Sequence, residues 1–150
     1  MSLLRTAILV FGLALAVGSQ ADEPPCYDWG GVVRSQELHF SDPREVSIQS
    51  ALLDFQGRFG PSWLLARIKD SKLQIENQMP GVGLPATLYH MRLEWLSPLG
   101  KVIASKSIPE DDTCAAISLF PGQLTPDFEI VPPVSREALR LRLKIWAVVP

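Results

Sequence analysis

Near the C-terminus, Leu139, Leu141, Leu143, Ile145 and Ala147 alternate with Arg140, Arg142, Lys144 and Trp146. A period of two places one set on each side of an extended chain, whereas a helix would scatter the same residues around its circumference. The spacing predicts a long strand of about nine to eleven residues with one buried face. The residues from Trp146 to Val149 are apolar on both sides, so this tip is expected to be covered by another layer or by a partner.

A second run shows the same pattern. Thr87, Tyr89, Met91, Leu93 and Trp95 interleave with Leu88, His90, Arg92, Glu94 and Leu96. Ser97-Pro98-Leu99-Gly100 follows, with Pro at the second and Gly at the fourth position of a type I turn, and the chain returns through Lys101 to Ile108. The simplest hairpin register sets Trp95 opposite Val102 and Leu93 opposite Ala104, apolar against apolar. Shorter strand candidates cover Val32 to Phe40, Ser62 to Lys69, Lys72 to Glu76, Ala115 to Phe120 and Phe128 to Val131. Gly60-Pro61, Pro80-Gly81, Pro121-Gly122 and Pro132-Pro133 punctuate them. Such spacing predicts a mainly β fold, an antiparallel β-sandwich of Ig-like architecture.

One segment reads differently. Asp42-Pro43-Arg44-Glu45 combines an N-cap, a proline at the first helical position and a capping-box glutamate. It predicts one short helix over 43–57, with Ile48, Leu52, Phe55 and Phe59 on one face and Gly57 near the C-cap. A strand from Glu45 to Phe55 is the competing reading. Ser135 to Leu139 is compatible with one helical turn before the final strand.

The leading residues bear on compartment. Arg5 precedes an uncharged apolar run from Thr6 to Gly18, too short to cross a bilayer, and Ser19-Gln20-Ala21 presents small residues where a signal peptidase reads. Residues 1–21 are therefore expected to be a cleavable signal peptide, leaving 22–150 as a single periplasmic or secreted domain with no membrane anchor. Lipidation at Cys26 is not expected, because Asp22-Glu23-Pro24-Pro25 precedes it. In an oxidising compartment the two cysteines, Cys26 and Cys114, are expected to form one disulfide. In the loop-entropy picture such a long closure contributes about 4–5 kcal/mol.

Charge narrows the partners. Removing 1–21 takes away Arg5 and no acidic residue, so the formal charge moves only from −2 to −3. That balance makes no case for nucleic acid or an anionic membrane surface.

Catalytic and metal motifs are sparse. His39 and His90 lack ligand spacing and read as solvated imidazoles, so no metal or cofactor is expected. Glu110-Asp111-Asp112 lacks the alternation and turn glycine of a calcium loop. Gly81 and Gly83 precede no helix start that could cradle phosphate, and no serine stands in a Gly-x-Ser-x-Gly turn. The chain reads as non-catalytic.

Two surfaces remain. If the two alternating strands are neighbours, His90, Arg92, Glu94, Arg140, Arg142 and Lys144 form a cationic patch with one embedded acid, suited to an acidic protein or an anionic glycan. Residues of this kind also populate ordinary solvated strand faces. Tyr27 and Trp29 flank Cys26 and offer an aromatic contact, while Trp63, Trp95 and Trp146 are assigned to the core or its rim. The expected function is an exported binding or interaction protein of the bacterial periplasm, acting on an envelope or secreted protein as inhibitor, immunity or assembly factor. The alternative is a glycan-binding module or carbohydrate-active enzyme.

Overall fold

The computed structural model describes residues 29–81, 83–109 and 115–150. The predicted signal peptide, Tyr27, both cysteines and Glu110-Asp111-Asp112 lie outside them. Nine strands form among the described residues: β1 (Arg34–Phe40), β2 (Ile48–Gly57), β3 (Gly60–Lys69), β4 (Lys72–Asn77), β5 (Thr87–Leu96), β6 (Val102–Ile108), β7 (Ile117–Leu119), β8 (Phe128–Glu129) and β9 (Arg140–Val148). They make an all-β sandwich of two antiparallel sheets. Sheet I runs β1-β9-β5-β6, with β7 also on β5, and sheet II runs β2-β3-β4-β8.

Alternation builds the core. Leu141, Leu143, Ile145 and Ala147 of β9 and Tyr89 and Met91 of β5 are fully buried, and they face Leu53, Leu64, Ala66, Ile68, Leu73 and Ile75 of sheet II, also fully buried. Burying one of these leucines, isoleucines or the methionine stabilises the fold by about 1.5–3 kcal/mol. Asn77 is a polar bridge inside this core. Its amide donates to the Leu119 carbonyl at 2.8 Å and reaches Thr87 Oγ1 at 3.4 Å, tying β4 to β7 and β5.

The helix predicted over 43–57 is not there; the chain is strand β2 from Ile48 to Gly57. The cap itself is real: Glu45 and Val46 both donate to the Asp42 carbonyl at 2.9 Å, and Arg44 N–H donates to Asp42 Oδ1 at 2.9 Å. It closes a single turn and goes no further. Of the supposed helical face, Ile48, Leu52 and Phe59 are exposed by 64, 48 and 55%, while the two-residue set containing Leu53 and Phe55 is buried. Pairing all ten residues of β2 with β3 outweighs local helix preference. Nor does Ser135 to Leu139 form a helical turn; it is an extended, bent approach to β9.

Asp42 performs a different job from capping a helix. Its carboxylate receives Arg44 Nη2 at 2.6 Å and Leu139 N–H at 3.2 Å, and Arg44 also donates to the carbonyls of Ser135 and Glu137 at 2.7 and 2.9 Å. The β1–β2 turn is thus fastened to the segment entering β9. The Arg44 guanidinium beside it holds the Asp42 carboxyl below the usual carboxylate range.

The hairpin expected between Leu96 and Val102 forms, with a shifted register. Gly100 N–H donates to the Ser97 carbonyl at 2.8 Å, completing the turn. Gly100 takes φ +86°, the left-handed step of a three-residue loop closed by a bulge. Leu96 pairs with Val102, then a slip sets Trp95 opposite Ala104 and Leu93 opposite Lys106, not Val102 and Ala104. The extra residue leaves Val102 and Ile103 exposed by 40 and 43%.

Side-chain amides close the flank between β1 and β2. Gln36 donates to the Asp54 carbonyl and accepts from Asp54 N–H, and Gln49 makes the same reciprocal pair with Ser41 at 2.9 Å each way. Such pairing occupies backbone groups that an edge strand would otherwise present to other chains.

The two readings of 43–57 separate on two substitutions. Leu53→Ala is expected to destabilise the fold by about 2–4 kcal/mol in urea unfolding, and Leu52→Ala by less than about 1 kcal/mol. Equal losses at both positions would contradict the strand.

Candidate binding surface

β9 lies between β1 and β5, and both pairings are antiparallel and in register over most of its length. With its odd-numbered residues turned into the core, the even-numbered ones stand on the outer face of sheet I. Arg142 is opposite Glu94, Lys144 opposite Arg92 and Trp146 opposite His90. The six residues expected to form a patch therefore do stand together on adjacent strands. On the other flank β1 adds two residues that sequence reasoning did not include in it, Glu37 opposite Lys144 and His39 opposite Arg142.

The charges form a connected ladder. Arg142 Nε donates to Glu94 Oε1 at 2.8 Å, Lys144 Nζ lies 3.9 Å from Glu94 and 3.9 Å from Glu37, and Glu37 lies 3.6 Å from His39 Nε2. Two acids thus hold Arg142 and Lys144 in place, while Arg92 and Arg140 extend the cationic side of the face. Arg92 Cζ sits 5.0 Å from the centre of the Trp146 ring, a cation–π contact of about 0.5–2 kcal/mol.

This face is drier than the solvated strand expected of it. Glu94 and Lys144 are 6 and 8% exposed, His90 and Trp146 only 2% each. His90 is not a solvated imidazole: Nδ1 lies 3.1 Å from the Ala115 carbonyl, which can only accept, so the nitrogen donates. Trp146 is buried, yet on the outer face and not in the core. Arg140 and His39 remain the open end of the ladder, His39 being 49% exposed at its side chain. Burial keeps the His39 imidazole below the usual histidine range, with Arg140 and Arg142 acting in the same direction against Glu37. At neutral pH it is an uncharged member of the row.

The two histidines do not converge, because β9 runs between the strands that carry them. No group of three or more His, Cys, Asp or Glu side chains with metal-holding geometry occurs among the described residues. Glu37 and Glu94 do approach the same ammonium. Both, however, are ion-paired to Lys144, and the aromatic ring nearby, Trp146, is buried, so the ladder lacks the open acid–base cleft that glycoside cleavage uses. Of the proposed aromatic contact, Trp29 is half-buried. Trp95 is buried in the core, while Trp63 is half-buried on the outer face of sheet II.

Glu37 could have been found from the alternation Ser35, Glu37, His39, which marks one face of the first strand candidate. What the linear pattern lacked was the identity of the strand beside it. The fold and surface together define an all-β sandwich with a partly buried charged ladder on one sheet. No protein-family model matches the chain, and no curated protein matches it significantly.

Desolvating such a ladder offsets most of its Coulombic gain, so breaking it and replacing it should differ sharply. Glu94→Ala is expected to cost about 2–4 kcal/mol by stranding Arg142 and Lys144. The triple variant Glu94→Met, Arg142→Leu, Lys144→Met should return to within about 1 kcal/mol of the parent in chemical unfolding. A triple variant far less stable than the single one would mean the ladder is structural.

Proposed function

We propose that the chain is a non-catalytic binding protein exported to the bacterial periplasm, a sandwich of Ig-like architecture whose contact surface is the outer face of sheet I. The observation that carries this reading is the convergence of His90, Arg92, Glu94, Arg140, Arg142 and Lys144 into one cross-strand array, joined by Glu37 and His39. Four full cations stand against two carboxylates there. The acids hold the inner cations in fixed positions, and Arg140 lies exposed at the rim. Preorganised charge of this kind favours a protein partner with an acidic contact segment, steered by long-range attraction and registered by the fixed inner groups. A partner of that sort is an envelope or secreted protein that this chain inhibits, protects against or helps assemble.

The test is capture from envelope extract under non-reducing conditions, with the tagged exported chain and its Arg92→Glu, Arg140→Glu double variant side by side. The parent is expected to retain a defined protein that is released by raising salt, and the double variant to lose it while still unfolding in one cooperative transition well above the capture temperature. Equal recovery by both, or nothing specific on either, would remove the proposed face.

A further inference from the structure

We propose that the open end of the sandwich, where β9 finishes, is a binding cleft for a free single-chain fatty carboxylate, its apolar chain seated on Val32, Phe59 and Val149 and its head held by Arg34 and Arg58. This is a second site, apart from the charged ladder of sheet I. Alternation leads to it. The inward set of β1 runs from Phe40 through Leu38 and Gln36 and ends on Arg34, which stands opposite the buried Ala147 of β9. An arginine on the core side of a sheet is costly unless the interior opens to water there. It does open: Arg34 is exposed, and it lines a cleft of about 740 Å³. That is the volume of a drug-sized ligand, which limits an apolar body to a single chain.

Two close approaches shape the cleft. Gly31 passes so near β9 that a Cβ there would stand 2.6 Å from Val148 Cγ1, and a Cβ on Gly57 would run into the Pro150 carbonyl oxygen. The two glycines thus bring the segments before β1 and after β2 onto the tip of β9, and the apolar residue beyond each lines the cleft: Val32, 71% exposed, and Phe59, 55% exposed. Leu88 and the half-buried Val149 continue that lining. The tip of β9, apolar on both faces, is therefore only partly covered by its own chain.

Charge selects the ligand. Arg34 and Arg58 both line the cleft, no Asp or Glu does among the described residues, and neither arginine has an ion pair among them. The Pro150 carbonyl is already taken by the Arg58 N–H at 3.0 Å. Two cations with no acidic side chain beside them oppose a cationic ligand. Gln56 is the only neutral hydrogen-bonding side chain among the described lining residues, too little for a sugar, and the apolar walls give a mineral anion nothing to match. A guanidinium fits the planar carboxylate with two parallel hydrogen bonds, and an acyl chain covers the rest of the lining.

The experiment titrates the exported chain with dodecanoate by calorimetry, below micelle formation, beside dodecyltrimethylammonium, acetate and phosphatidylglycerol vesicles. Saturable binding of dodecanoate at micromolar to millimolar concentration is expected. The ammonium keeps the chain and reverses the head, acetate keeps the head and lacks the chain, and each should bind at least about tenfold more weakly. Arg34→Gln with Arg58→Gln should weaken dodecanoate at least about tenfold and Phe59→Ser at least about fivefold. Lys69→Gln with Lys72→Gln, which removes the same charge from the β3–β4 turn, should leave it unchanged. Each variant is checked for a cooperative melting transition; should the arginine pair fail to fold, Phe59→Ser and the head-group comparison on the parent decide. No binding of dodecanoate, equal affinity for the ammonium or for acetate, undiminished binding by a folded cleft variant, or binding to the vesicles alone overturns the proposal. None of these arms alters the ladder of sheet I, so this reading and the capture experiment fail separately.

Discussion

The position of β9 between β1 and β5 governs the rest of the molecule. A strand with hydrogen-bonded neighbours on both sides cannot slip by one residue without turning its whole apolar set to solvent. Leu141, Leu143, Ile145 and Ala147 fill the core from this strand, and their burial fixes where Arg140, Arg142, Lys144 and Trp146 must stand. The charged ladder is therefore a consequence of the same alternation that builds the core. The Asp42–Arg44 clamp fastens the segment entering β9 and so helps to set where the strand begins.

Energetics separate the two faces of that strand. The inward face stabilises the fold through apolar burial, which is large and tolerant of geometry. Its outward face carries ions that have lost much of their water, and their mutual attraction roughly cancels that loss. Glu94, at 6% exposure, and Lys144, at 8%, are the most withdrawn charges of that face. The contact face proposed above draws on the more open cations of this surface, Arg140 at the rim and the half-buried Arg92 and Arg142. On the opposite sheet the corresponding surface is mixed, with Trp63 and Leu65 outward on β3 beside Asp54 and Leu52 of β2.

Much of this was legible from residue order because period-two patterns are local. The strands at 87–96 and 140–148 follow directly from alternation, and so do the weaker ones, to within a residue or two at most ends. Three features were hidden for identifiable reasons. The capping signal at Asp42 is genuine chemistry, but a cap cannot say how many turns follow it, and partner β3 decided that 48–57 is extended. Around the 97–100 turn, the left-handed Gly100 moves the pairing by one residue and a bulge beyond Val102 moves it by another, and the linear pattern states neither. Strand neighbours are non-local: alternation puts Glu37 and His39 on one face of the first strand, but that this face adjoins β9, and that the Ala115 carbonyl meets His90, follows only from the fold.

The most direct measurement of the central claim is native-state hydrogen exchange on individual amides. A strand bonded on both sides exchanges only through global unfolding, whereas edge strands open locally. The amides of Leu141, Leu143 and Ile145 are predicted to share the highest protection in the domain with those of Met91 and Leu93, and to exceed those of Val102 to Ser105 on edge strand β6. Exchange of the Leu141 to Ile145 amides as fast as that of β6 would contradict the central placement of this strand, and with it the surface assigned to sheet I.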